Sequence, residues 1–319
     1  MGDVLAGIHA TWEFDTDSVL IRFERGIRTP RLFQSLRERR VPYAALSSVT
    51  LTPGKRGTVV LRAVPRPGAD PLVEAAAGQL KDGCDPYRLV LPAERETLAE
   101  YYADELRTCL GPDADEPAER FLVAAPEAPM HFKAYDGRAG FDGERVSFRW
   151  FWTGASSEKW KAGDQTFPVS DLCGVEWRSP EAFEGYLRLL PRGLDGAVPA
   201  ADALAGPGPV AGAGLRPGIA PSTQPVEPRP ARADQDPAAV IFGLGYGPVH
   251  ESLPFAAAVL ESVRRKQSAP LATAPPAAGA RRDPADIAER IHHLGELHRA
   301  GLVTDDEFSA KKAQLLAEL

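Results

Sequence analysis

The chain has 319 residues, 44% of them hydrophobic, and a formal net charge of −7. Its length supports more than one packed core, and its acidity excludes a general nucleic-acid binder, whose phosphate contacts need a basic surplus. Cys84, Cys109 and Cys173 are widely spaced and form no CxxC pair, which excludes a disulfide framework and fits reduced thiols.

Met1 to Trp12 carries neither a basic start nor an apolar run of signal-peptide length, and no stretch approaches the ~20 apolar residues of a membrane span. The expected location is the cytoplasm, with contact at the inner face of a membrane left open. Ala, Gly, Pro and Arg are abundant and Lys is scarce, as in a high-GC bacterial genome. Gly 29 and Pro 30 together predict that part of the chain is unstructured.

In chain order, Trp12 and Phe14, then Val19, Ile21 and Phe23, alternate with polar residues, the pattern of a half-buried hairpin turned at Asp15 to Ser18. Arg22, Arg25, Arg28, Arg31, Arg37, Arg39 and Arg40 then crowd one stretch, opposed only by Glu24 and Glu38. Val41-Pro42 with Leu46, Val49 and Leu51 reads as a strand entered through proline. Thr58 to Val64 is rich in β-formers, and Asp85-Pro86 precedes a further strand, Tyr87 to Leu91. Glu94 to Leu110 has Leu98, Tyr102 and Leu106 at helical spacing, suited to covering one end of a sheet.

The same order of blocks then recurs. Phe14-Asp15 and the strand after it match Phe141-Asp142 with Val146, Phe148 and Trp150, 127 residues on. Val41-Pro42, Leu46 and Val49 match Phe167-Pro168, Leu172 and Val175, 126 residues on, as Leu61 to Arg66 match Leu187 to Arg192. The fourth block, Asp236-Pro237 before Ala238 to Phe242, stands 151 residues after its counterpart. The second unit therefore carries an insertion, 194–235, dominated by Ala, Gly and Pro, which cannot bury enough apolar surface to offset its ordering entropy. A helix over about Ser252 to Lys266 closes the unit.

This succession of strands and a closing helix resembles a pleckstrin-homology-like (PH-like) unit, and its duplication is similar to an uncharacterised bacterial family of tandem units of this kind. The resemblance implies an α+β fold: two tandem PH-like β-rolls, 1–110 and 130–266, each closed by a C-terminal helix. A flexible linker, 267–282, leads to a small two-helix module, 283–319.

In that module, Asp283-Pro284 opens a helix and Ile287, Ile291, Leu294 and Leu297 form its apolar stripe. Gly301 ends it, and Thr304 to Glu307 make a capping box for a second helix carrying Phe308, Leu315 and Leu316. The run Leu297 to Phe308, with its G-L-V-T-x-x-E-F core, resembles the SHOCT (short C-terminal) domain, which implies oligomerisation or docking through Ile287, Ile291, Leu294, Leu297, Leu302, Phe308, Leu315 and Leu316. So short a helical pair needs a partner surface to fold.

Candidate chemistry is sparse. Gly243, Gly245 and Gly247 follow a strand, but the G-x-G-x-G spacing and Pro248 do not fit a nucleotide loop. The six histidines, His9, His131, His250, His292, His293 and His298, lack metal-ligand spacing. No nucleophile motif or paired carboxylate stands out, so no enzyme, catalytic residue, cofactor or metal is expected. Arg25, Arg28, Arg31, Arg37, Arg39 and Arg40 form a candidate anion or lipid patch, or a solvated loop with strand-face arginines. The corresponding stretch of the second unit holds Trp150, Phe151, Trp152 and Trp160 with Lys159 and Lys161, suited to an interface or to the buried side of a hairpin. The expected function is interaction or scaffolding with a protein partner or a second copy, with anionic-membrane binding as the alternative and no nucleic-acid partner.

Overall fold

Alternation builds the first sheet. The computed structural model describes residues 3–192 and 232–268. β1 (Asp3–Ala6), β2 (Ala10–Phe14) and β3 (Ser18–Phe23) form an antiparallel meander, and Leu5, Trp12, Val19 and Ile21 point into the core. A short helix, α1 (Arg31–Leu36), precedes the fourth strand, β4 (Glu38–Pro42). β4 has no counterpart among the strands expected from the sequence pattern. Pro42 ends it, a single 3-10 turn follows, and only then does β5 (Leu46–Pro53) begin. The proline therefore closes one strand instead of opening the next, since it pairs at the end of β3 opposite Ser18.

β5 pairs with β6 (Thr58–Pro65), and a helix, α2 (Pro71–Ala76), intervenes before β7 (Arg88–Pro92) completes a three-stranded antiparallel sheet. α3 (Glu96–Thr108) packs on this sheet through Ala99, Tyr102, Ala103 and Leu106, and Tyr102 stacks on Phe14 at 4.3 Å. Leu98, expected to face inward, is exposed, because the buried stripe runs through the neighbouring alanines.

The second half follows the same order of strands, with no counterpart of α2 among the described residues: β8 (Met130–Lys133), β9 (Gly137–Phe141), β10 (Arg145–Trp150), α4 (Ser157–Ala162) and β11 (Gln165–Pro168), then β12 (Leu172–Arg178), β13 (Tyr186–Pro191), β14 (Ala239–Ile241) and α5 (Val249–Ser268). Again a four-stranded sheet is followed by a three-stranded one. Phe14 opposes Val19 as Phe141 opposes Val146. Leu46 opposes Pro65 as Leu172 opposes Pro191, each with a register shift two residues later. The chain is thus a mixed α+β protein of small antiparallel sheets.

Between β13 and β14, residues 193–231 lie outside the described residues. Most of the predicted insertion, 194–235, falls there; at its end the amides of Gln235 and Asp236 donate to the Arg232 carbonyl, and Asp236 pairs with Arg188 at 3.0 Å. Residues 269–319 lie outside the described residues as well. The linker, the helical pair and Ile287, Ile291, Leu294, Leu297, Leu302, Phe308, Leu315 and Leu316 all fall there.

α5 joins the two halves. Phe255 packs on Phe132 and Phe141 of its own sheet, as Tyr102 packs on Phe14. With those two aromatics matched, the buried Ser252, Ala256 and Val259 take the places of Ala99, Ala103 and Leu106. But α5 also buries Leu253, Pro254, Ala257 and Ala258, where α3 exposes Glu100, Tyr101, Asp104 and Glu105. A helix apolar on both sides must be covered on both sides. α5 accordingly packs against α1 and α2 as well as β12.

Polar bonds fix the junction. Gln79 donates through Nε2 to the Trp177 carbonyl (3.0 Å) and accepts at Oε1 from the Ser179 amide (2.9 Å). Arg264 pairs with Glu74 at 2.9 Å and donates to the Gly68 carbonyl, and Lys81 pairs with Glu181 at 3.1 Å.

Candidate functional site

Where the two halves meet, the surface is hollowed into a cleft of about 850 Å³. The first half contributes Pro30, Arg31 and Leu32 at the start of α1, and Gln79, Leu80, Lys81 and Cys84 after α2. The second contributes Trp177, the 179–184 loop, and the segment 242–250 leading into α5.

Local chemistry shapes each wall. The loop between β12 and β13 doubles back at Ser179 to Gly185, where a Cβ on Gly185 would collide with the Ser179 carbonyl. Glu184 sits at φ 58°, a left-handed conformation rare for a side-chain-bearing residue. Beside it, Phe183 projects 83% exposed. On the opposite rim, Leu244 is fully exposed at the tip of the glycine turn.

The glycines of that turn answer to packing. Gly247 has φ 57° and lies where any Cβ would strike the Phe242 ring. Two of the turn's amides are engaged within the fold, Tyr246 donating to the Gly243 carbonyl and Gly247 to the Lys133 carbonyl.

Charge in the cleft is mixed. Among the described residues Arg31 and Glu184 have no ion-pair partner, while Lys81 and Glu181 neutralise each other. Burial, then the Arg31 charge, lowers the His250 pKa, opposed by Glu251 at 3.7 Å. Burial, then Glu181, raises the Cys84 thiol above its usual value, so Cys84 is a poor nucleophile. Among the described residues no three His, Cys, Asp or Glu side chains gather as metal ligands. The cleft offers apolar contact and a few hydrogen bonds, the equipment of a binding surface.

The arginine segment divides. Arg25, Arg28, Arg31 and Arg37 are exposed and make no ion pair among the described residues. Arg40 is exposed, bonded to Ser18 Oγ (2.8 Å) and Asp15 (3.2 Å). Arg39 does not belong to a surface patch. It points inward from β4, 5% exposed, and its guanidinium meets Asp70 at 2.7 Å. Asp70 also accepts from the Leu72 amide at the start of α2 and from the Tyr87 hydroxyl at 2.6 Å. Burial opposes the Arg39 charge, but Asp70 and Tyr87 outweigh it and hold the guanidinium protonated; burial, then Asp70, drives the Tyr87 pKa well up.

The aromatic stretch divides too. Trp150 is buried and donates to the Gly163 carbonyl, and Lys159 is buried against Asp136 at 2.6 Å. Asp136 also accepts from the Ile241 amide, tying α4 to β14. Burial pulls the Lys159 pKa down and pushes that of Asp136 up, each against the attraction of its partner. Trp152 and Trp160 instead stand exposed, edge to face at 5.3 Å. Sequence reasoning missed Phe183, Leu244 and the cleft itself. The available signals were an aromatic in the Ser179 to Gly185 turn and the all-round apolar character of α5.

Sheets, closing helices and cleft together define a mixed α+β protein of small antiparallel sheets. A family model described as a domain of unknown function, DUF4429, matches residues 12–107 and 139–260, more than half of the chain, and the chain belongs to that family. No curated protein matches it.

Proposed function

We propose that this is a non-enzymatic interaction protein that holds a protein partner in the cleft between two PH-like units. The two units would be duplicates of one plan, each a four-stranded sheet, a three-stranded sheet and a closing helix. The SHOCT-like pair, 283–319, would supply self-association or docking. The observation that carries this reading is the cleft, rimmed by exposed Phe183 and Leu244 yet fixed beneath by the Gln79 and Arg264 bonds. Exposed apolar side chains on a rigid frame favour binding, since little ordering entropy remains to be lost.

Affinity capture with mass spectrometry and light scattering test it, comparing the full chain, a Phe183→Ser/Leu244→Ser variant and a chain ending at Gln267. A partner lost with the double variant, and a mass that drops with the truncation, are the expected results. Unchanged partners and mass in both would overturn the proposal.

A second reading, peripheral attachment to an anionic membrane, is favoured by the exposed Arg25, Arg28, Arg31 and Arg37, which make no ion pair among the described residues. Sedimentation with anionic and neutral vesicles tests it, and equal binding to both would sink it.

A further inference from the structure

Four large apolar side chains stand exposed on loops and on α4, one of them, Leu244, on the cleft rim. Ile27 and Leu244 are fully exposed, Trp152 is 79% exposed and Trp160 50%. Ile27 stands on the loop between β3 and α1, and Trp152 on the loop between β10 and α4, the same place in each half.

Contacts join these tips into one strip. Pro30 and Arg31, just past Ile27, share the cleft with Leu244 and Tyr246. The Tyr246 ring lies 6.2 Å from that of Tyr135, and Lys133 Nζ lies 5.1 Å over Tyr246 and 5.5 Å over Phe151, next to Trp152. Cations follow the strip: Arg25, Arg28 and Arg31 at one end, Lys133 in the middle, Lys161 at the other. Its acids are Glu24, Glu158 and Glu251 and, on the cleft wall facing Leu244, Glu181, which pairs with Lys81, and Glu184. The outward acids of α3, Glu96, Glu100, Asp104 and Glu105, belong to a separate helix face.

We propose that this strip is a bilayer-insertion surface: Ile27, Leu244, Trp152 and Trp160 enter the headgroup–acyl boundary of an anionic membrane while the flanking cations pair with lipid phosphates. The proposal rests on the membrane reading of the arginine segment and adds to it an apolar anchor from both halves. Protruding aliphatic ends bury apolar area only if they leave water, tryptophan settles at headgroup depth, and arginine and lysine stems reach back to the phosphates. Two attachment points, one per half, would also fix how the body lies on the surface.

The tryptophans make the test specific. The chain has five, and Trp12, Trp150 and Trp177 are buried. Acyl-brominated lipid can therefore quench only Trp152 and Trp160. Full-length protein is mixed with phosphatidylcholine vesicles containing roughly one-third phosphatidylglycerol, with and without brominated chains. We expect quenching, and about tenfold weaker partitioning for each of Ile27→Glu and Trp152→Glu with unchanged melting temperature. Arg25→Gln/Arg28→Gln should weaken binding and flatten its salt dependence. Binding to anionic vesicles without quenching, and indifferent to Ile27→Glu and Trp152→Glu, would overturn insertion while leaving the electrostatic reading intact. No preference for anionic over neutral vesicles would overturn both.

Discussion

Replacing Asp70 by Ala removes a carboxylate on which three separate parts of the first half converge. Its Oδ1 accepts from Arg39 (2.7 Å) and from the Leu72 amide (2.8 Å), and its Oδ2 accepts from Tyr87 (2.6 Å). Stranding a buried guanidinium costs about 3–5 kcal/mol, losing a helix N-cap about 1, and orphaning a buried hydroxyl about 1–3. The three share one site and do not add in full, so roughly 4–6 kcal/mol is expected, a large part of the ~5–15 kcal/mol that holds a domain together. Urea unfolding followed by tryptophan fluorescence measures it. α2 also carries the contact to α5, so hydrogen exchange at the Ser179 amide, held by Gln79, should speed up. Arg39→Met/Asp70→Leu should recover much of the loss, because the ion pair is imperfectly satisfied: among the described residues Arg39 Nε has no hydrogen-bond partner. A loss below about 2 kcal/mol for Asp70→Ala, or a double variant no better than the single, would refute the reasoning.

Lys159→Ala should cost about 3–5 kcal/mol in the same assay by leaving the Asp136 carboxylate buried alone, and Lys159→Met/Asp136→Asn should return part of it, since Asn still accepts from the Ile241 amide. Ala257→Glu places a charge in the fully buried face of α5 and should destabilise by at least about 3 kcal/mol, seen as proteolytic nicking between the halves; a wild-type digestion pattern would count against that packing. The depressed His250 pKa fixes a sign. Below the usual histidine value near 6.5 the unfolded chain takes up a proton before the folded one, so stability falls as pH drops through that value and levels off once the folded form is protonated as well. His250→Gln should flatten that segment of a melting-temperature profile. The lowered Asp15 and Asp142 act in a separate, more acidic window, below about pH 4.

The hairpins were legible because their period is two and their partners are close in sequence. Trp12, Phe14, Val19 and Ile21 announce both the strands and the register in which Phe14 opposes Val19. β4 was not legible. In Glu-Arg-Arg-Val an arginine occupies an inward position, and what makes Arg39 an interior residue is Asp70, 31 residues away. No local pattern carries that information. Lys159 was hidden in the same way, its partner Asp136 lying 23 residues back in a turn. The cleft was invisible for a different reason: it belongs to neither half alone. It exists because α5 is apolar on two sides, and Leu253, Pro254, Ala257 and Ala258 read as ordinary helix filling until a second neighbour is known.

The contrast between the closing helices explains why two halves of the same strand order pack against each other once. Their junction is heterologous, with α1 and α2 of the first half against α5 and β12 of the second. Surfaces of that kind, present on both halves, could continue from molecule to molecule and build an open chain. α3 prevents this on its side. Where α5 offers Leu253, Pro254, Ala257 and Ala258, α3 offers Glu100, Tyr101, Asp104 and Glu105, and burying those three carboxylates without partners would cost more than the apolar contact returns. A few residues on one helix face thus decide that the contact is made once, within the chain. They also place an acidic helix face on the first half, Glu100, Asp104 and Glu105, apart from the cleft that α5 closes.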